Sequence, residues 1–166
     1  MCIRDRHLRG IGVIATTTLL FGLLLGVSYS YRAAGADEQP ISRLDHALVI
    51  GLAQALALIP GTSRSGVTIT ASLFLGYNLA TAARFSFLMS IPVIAGALLL
   101  MLIKEFELLF SSTSLAITLI AMLVAAVSAY ATIAFFVGLI TRVGMVPFVI
   151  YRVLLALILF SILVFV

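Results

Sequence analysis

Charge, cysteine and histidine are all scarce in this sequence, and each shortage closes off a class of function. A single cysteine, Cys2, excludes an internal disulfide and a thiolate metal site. Two histidines are too few for a multi-histidine metal cage. Charged residues make up 10 % of the chain, where a soluble domain carries roughly a quarter. The net charge of +4 comes from scattered rather than clustered basic residues, so no nucleic-acid partner is expected. Apolar surface takes the place of charge: hydrophobic residues reach 63 % and mean hydropathy is +1.29. Such a chain cannot cover itself with polar groups in water, and lipid must be its solvent.

A helix that crosses a bilayer needs about 20 predominantly apolar residues. Residues 10–30, 80–103, 114–140 and 148–166 meet that requirement. The first carries Gly22 and Gly26 at the spacing that lets helices approach closely. The second contains Pro92, and the third has Ala121, Ala125 and Ala129 along one face. Polar connections separate them: residues 31–43 with Arg32, Asp37, Glu38, Gln39 and Pro40; then Lys104, Glu105 and Glu107; then a short turn over 141–147.

Residues 44–78 behave differently. The apolar stretch 44–59 would reach about 24 Å as a helix and the stretch 67–78 about 18 Å. Neither crosses a hydrocarbon core of about 30 Å. With Pro60-Gly61 between them, they predict a re-entrant helix-loop-helix hairpin, which membranes tolerate only where the loop is buried in protein or lines a wet cavity. The alternative is one long, kinked span. The expected fold is therefore all-α: a polytopic membrane protein of about four transmembrane helices and one re-entrant hairpin. It forms a single membrane domain over 10–166 after an extramembrane start over 1–9. Orientation is undetermined, because Arg4, Arg6, Arg9 and Lys104 fall on one face and Arg32, Arg43 and Arg142 on the other.

The loop Pro60-Gly61-Thr62-Ser63-Arg64-Ser65-Gly66 carries the chemistry. It sets three hydroxyls around an arginine at membrane depth, where a charge costs on the order of 3 kcal/mol on insertion scales. Guanidinium matches phosphate oxygens two at a time. Gly61 and Gly66 allow backbone amides to converge on an anion. A helix starting near Val67 would point its positive end there, with Thr68 in its first turn. The competing reading is that the hydroxyls cap helices and Arg64 snorkels or pairs elsewhere.

Other polar residues are less decisive. Arg152 either reaches the same cavity or snorkels, and Arg84 fits snorkelling. Gln54 either orients a substrate or bonds across helices. Asp45 and His46 suit a helix cap and an interfacial position. Glu105 and Glu107 suit a solvated turn, and Phe85, Phe87, Phe106 and Phe110 suit packing and lipid contact. The lipid phosphatases with a haloperoxidase-type site carry Ser-Arg, five intervening residues, then His. Here Ser63-Arg64 is followed at that distance by Thr70, which rejects that family.

The stretch Gly51-Leu52-Ala53-Gln54-Ala55-Leu56-Ala57-Leu58-Ile59, followed by the loop, resembles a signature of the bacterial undecaprenyl-diphosphatase family of the bacitracin-resistance type. Arg84-Phe85-Ser86-Phe87-Leu88 with Ile91-Pro92, and Pro147-Phe148-Val149-Ile150-Tyr151-Arg152, resemble its later spans. The resemblance runs from about Gly10 onward. It implies a multi-pass enzyme of the bacterial plasma membrane that hydrolyses an isoprenyl pyrophosphate lipid, and a fold of two inverted repeats. It further implies a divalent cation, Mg²⁺ or Ca²⁺, and leaves a homodimer open. Carried over, Ser63, Arg64 and Thr68 are the catalytic candidates. Gly61, Thr62, Ser65, Gly66, Gln54 and Arg152 are the substrate-binding ones. The family's glutamate-rich first-repeat signature has no counterpart in this sequence, so the chain reads as a C-terminal half whose first six residues are adventitious, with cation ligands mainly outside it. The rival function is a transporter or flippase for a phosphorylated lipid or anion, since broken helices at the midplane suit that task equally well.

Overall fold

The computed structural model describes residues 10–31, 40–104 and 115–165, and these are helical apart from short turns. The elements are α1 (Ile11–Tyr31), α2 (Leu44–Ala55) extended by a 3-10 turn (Leu56–Leu58), α3 (Arg64–Phe74), α4 (Leu79–Lys104), α5 (Leu115–Val143) and α6 (Val146–Phe165). Helices α1, α4, α5 and α6 are long and apolar enough to cross a membrane. The chain is thus an all-α, polytopic membrane protein. Cys2, Arg4, Arg6, Arg9, Arg32, Asp37, Glu38, Gln39, Glu105, Phe106, Glu107 and Phe110 lie outside the described residues.

The short helices form a hairpin. His46, in the first turn of α2, places Nδ1 2.8 Å from the Tyr77 hydroxyl, three residues beyond α3. Their rings meet edge to face with centroids 5.5 Å apart. One continuous helix would hold those two residues roughly 45 Å apart. The break follows from local chemistry. Ile59 is extended (φ −80°, ψ 125°) because it precedes Pro60, and proline drives its predecessor out of the helical region.

Helix α1 fixes how deep the loop sits. The Thr17 hydroxyl donates to the Pro60 carbonyl at 2.7 Å, and Thr18 to the Gly61 carbonyl at 3.3 Å. At the other end Tyr29 of α1 shares a cavity lining with Asn78, at the hairpin's mouth. The residues from Thr17 to Tyr31 span about 21 Å along the helix, so the loop lies well inside the length of α1. Helix α3 is buried along most of its length, from Gly66 to Leu73. Its central core cluster includes Leu25, Ile69, Leu73, Ala82, Ala83 and Ile140. Protein rather than lipid surrounds it, which is the condition for a broken helix at this depth.

The glycines of α1 seat α6. A Cβ on Gly22 would lie 3.1 Å from Cβ of Arg152, and one on Gly26 3.2 Å from Val149. These are the close approaches expected of that spacing.

Three expectations need correction. Helix α3 begins at Arg64 rather than near Val67, because Ser63 caps it. The last turn shrinks to Gly144-Met145: Gly144, at φ +81°, ends α5, and Pro147 sits in the first turn of α6, where a missing N–H costs nothing. Asp45 caps nothing. It accepts from Arg43 Nε and Nη2 at 3.2 and 2.7 Å, and that hydrogen bond holds its carboxyl below the usual carboxylate range. The Ala121, Ala125, Ala129 face is exposed.

Candidate functional site

Ser63 organises the start of α3. Its backbone is extended and its hydroxyl oxygen accepts the Gly66 amide at 3.2 Å. The Val67 amide makes the first backbone bond of the helix, to the Ser63 carbonyl. The amides of Arg64 and Ser65 precede that bond and so lack intrahelical acceptors. Ser65 Oγ lies 3.3 Å from Ser63 Oγ. A cap and two open amides therefore share one helix end.

Arg152 reaches this end from α6. A Cβ on Gly66 would lie 3.4 Å from Nη1 of Arg152, an ordinary contact, and a tight 3.2 Å from the Ser63 side chain, so the guanidinium lies directly against this first turn. Nη1 is buried and has no hydrogen-bond partner among the described residues. A cavity of about 260 Å³ joins Ser63, Ser65, Gly66 and Arg152 to apolar walls that include Ile69, Phe136 and Phe148. Phe136 and Phe148 meet edge to face at 5.1 Å, and Phe87 meets Phe136 at 5.7 Å, so Phe87 does pack.

The electrostatics of the cavity are one-sided. A guanidinium and the positive end of a helix converge on it. The only carboxylate among the described residues, Asp45, is held by Arg43 near the hairpin's mouth. A buried cation without a partner is strongly unfavourable, and an anion would relieve both positive ends at once.

The remaining sequence candidates divide. Arg64 is the first residue of α3 and partly exposed; its guanidinium has no hydrogen bond or ion pair to another described residue, and it does not line the cavity. Gln54 Oε1 and Thr62 Oγ1 are buried without partners among the described residues, also outside the cavity lining. Gly61, at φ +87°, is needed for contact. A Cβ there would strike the Thr17 hydroxyl and come within 2.7 Å of the Ile14 carbonyl. Thr68 is fully buried, and its hydroxyl lies 3.0 and 3.1 Å from the Arg64 and Ser65 carbonyls and 2.7 Å from Ser86 Oγ. Arg84 is exposed near the start of α4, as snorkelling requires.

Sequence reasoning missed Thr17, Thr18 and Ser86. The run Thr16-Thr17-Thr18 inside an apolar span was the available signal for two of them. Ser86, one of two serines in α4, carried no signal of its own beyond its place in the Arg84-Phe85-Ser86 match. For a divalent cation the residues do not fit: the cavity offers hydroxyls and a guanidinium, and no group of three or more His, Cys, Asp or Glu exists among the described residues. Hard cations need several oxygen ligands, commonly carboxylates.

Fold and site together define a polytopic all-α membrane protein whose broken-helix hairpin meets a partly buried arginine with one buried guanidinium nitrogen. The family model described as "Bacitracin resistance protein BacA" matches residues 2–158, and the chain belongs to that family. It is similar to a protein named "Undecaprenyl-diphosphatase" from Alcanivorax borkumensis, with 54 % identity over 91 % of this chain and 56 % of the relative. A protein of the same name from Teredinibacter turnerae is 52 % identical over 94 % of this chain and 58 % of its own length. Another, from Ruthia magnifica, is 47 % identical over 96 % and 61 %. The chain spans somewhat more than half the length of the curated relatives it matches.

Proposed function

We propose that the protein containing this chain hydrolyses undecaprenyl diphosphate to undecaprenyl phosphate and phosphate in the bacterial plasma membrane, recycling a lipid carrier for cell-wall synthesis and conferring bacitracin resistance. The observation that carries the reading is the buried, unpartnered Nη1 of Arg152 beside the N-terminus of α3. Arg152 and the Arg64 and Ser65 amides hold the pyrophosphate oxygens. They stabilise charge that builds up as the phosphoryl group transfers, a reaction governed by positioning and electrostatics. The Arg64 guanidinium supplies a second positive group from the rim. Ser63 caps the helix by accepting the Gly66 amide, and its hydroxyl hydrogen remains to donate to a phosphate oxygen. Thr62, Gly66 and Gln54 complete the polar surroundings. The apolar walls take the start of the isoprenoid tail.

A divalent cation belongs to the proposal, with ligands from outside the described residues. Membrane lipids cover the outer flanks of α4 and α5, and a homodimer through those flanks is compatible with the reading. A transporter would satisfy the same electrostatics, but the relatives' names favour the phosphatase. The test is inorganic phosphate release from an isoprenyl diphosphate in detergent with Mg²⁺ or Ca²⁺, by the longest reading frame containing this chain. Release of one phosphate per substrate is expected. A folded protein that releases none contradicts the reading, and uptake of the intact lipid into vesicles would replace it with transport.

A further inference from the structure

Thr68 and Ser86 pair two hydroxyls inside the protein, and the acceptors within reach of each favour one direction of donation. Thr68 has one hydroxyl hydrogen and two backbone carbonyls in reach, Arg64 at 3.0 Å and Ser65 at 3.1 Å. Ser86 Oγ, 2.7 Å from Thr68 Oγ1, has no other hydrogen-bond partner among the described residues. Ser86 therefore donates to Thr68, and Thr68 donates to the first turn of α3. Both side chains are buried, Thr68 completely and Ser86 with 5 % exposed. A buried hydroxyl is rarely left unpaired, which fixes the arrangement.

The residues at the end of this chain of donors are those that form the anion site. Arg64 and Ser65 offer the carbonyls that Thr68 holds and also the open amides that face outward from the helix end. Thr70 and Ser72 bond back to carbonyls of α3 in the same way, to Gly66 and Thr68. Neither has a recorded partner on another helix. Back-bonding hydroxyls tend to bend the helix that carries them, so a hydroxyl also tied to α4 would set the angle of that bend.

We propose that Ser86 is a positioning residue for the anion site, acting through Thr68 to orient the first turn of α3 toward Arg152. This rests on the phosphatase reading for its substrate, though not for its geometry. Ser86 touches no ligand. It decides where the donors point.

The experiment measures KM for an isoprenyl diphosphate in the longest reading frame containing this chain. It compares the unsubstituted protein with Ser86→Ala and Ser86→Thr, recording melting temperature alongside. Ser86→Ala raises KM about 5–10-fold, the usual worth of one hydrogen bond, and Ser86→Thr, which keeps the hydroxyl, recovers most of the loss. KM does not depend on the folded fraction, so a role confined to stability would lower the melting temperature and leave KM unchanged. That result, or equal KM values for the Ala and Thr variants, overturns the proposal. If Ser86→Ala does not fold, Thr68→Val breaks the same link from the other side, and an unchanged KM there is equally fatal. If the unsubstituted protein releases no phosphate, the phosphatase reading fails. The proposal is then decided by the dissociation constant for inorganic pyrophosphate, weakened in Ser86→Ala if it holds and unchanged if it does not.

Discussion

Helix α1 is the least apolar of the four long helices and the most buried, whereas α5 is more apolar and exposed along most of its span, packing only near its C-terminal end through Phe136 and Ile140. In water that ranking would be reversed. In lipid, apolar side chains gain little by leaving the tails, and close packing and hydrogen bonds decide which helices associate. Helix α1 has Gly22 and Gly26 for close approach and Thr17 and Thr18 as donors. Along α5, the residues from Ile117 to Phe135 are almost all exposed, the alanines among them included. The site accordingly lies within the α1–α3–α6 cluster, where backbones are near enough for a loop and an arginine to meet.

The largest effect that would break this contrast is expected at Gly61. Gly61→Ala combines a left-handed backbone with a collision against α1, and such backbone strain alone costs about 1–3 kcal/mol. Thermal melting in detergent should show a clear loss. Ala131→Gly, in the exposed part of α5, lacks the collision and should fall by less, about 1 kcal/mol from helix propensity.

The Thr68–Ser86 pair comes next. Thr68→Val leaves the buried Ser86 hydroxyl without its partner, at a cost of about 1–3 kcal/mol. Replacing both removes the unmet group, so the double variant should lose less than the sum of the two single ones. Additive losses in melting experiments would show that the hydroxyls do not act as a pair.

Thr17→Val should be milder, about 0.6 kcal/mol, in keeping with hydrogen bonds between membrane helices. The smallest effect is expected at Asp45, which is fully exposed with Arg43. Its carboxyl is held low by that partner, so the contribution is present at neutral pH and disappears as pH falls through the lowered range. Asp45→Asn should leave the melting temperature at pH 7 unchanged, since exposed pairs are weak.

The sequence made the spans, the broken helix and the loop legible because each depends on local signals: run length, Pro60-Gly61 and the hydroxyl-arginine cluster. The Gly22 and Gly26 spacing even indicated close packing. The partner those glycines admit could not be read, because nothing local says that α6 rather than α4 lies against α1. For the same reason Arg152 stood equally between site and interface, and Thr68 read as facing a ligand when its hydroxyl turns inward to Ser86. Cap geometry also moved the helix start to Arg64. The motif, in short, located the loop, while the orientation of each side chain depended on helices distant in sequence.

The central claim is that Arg152 and the start of α3 form one anion site, and kcat/KM for phosphate release by Arg152→Ala tests it most directly, with exposed Arg142→Ala as the comparison. Removing a preorganised donor typically costs about 100–1,000-fold. A loss of that size in Arg152→Ala, with melting temperature retained and Arg142→Ala close to the unsubstituted protein, is the predicted result. Comparable activity in all three would contradict it.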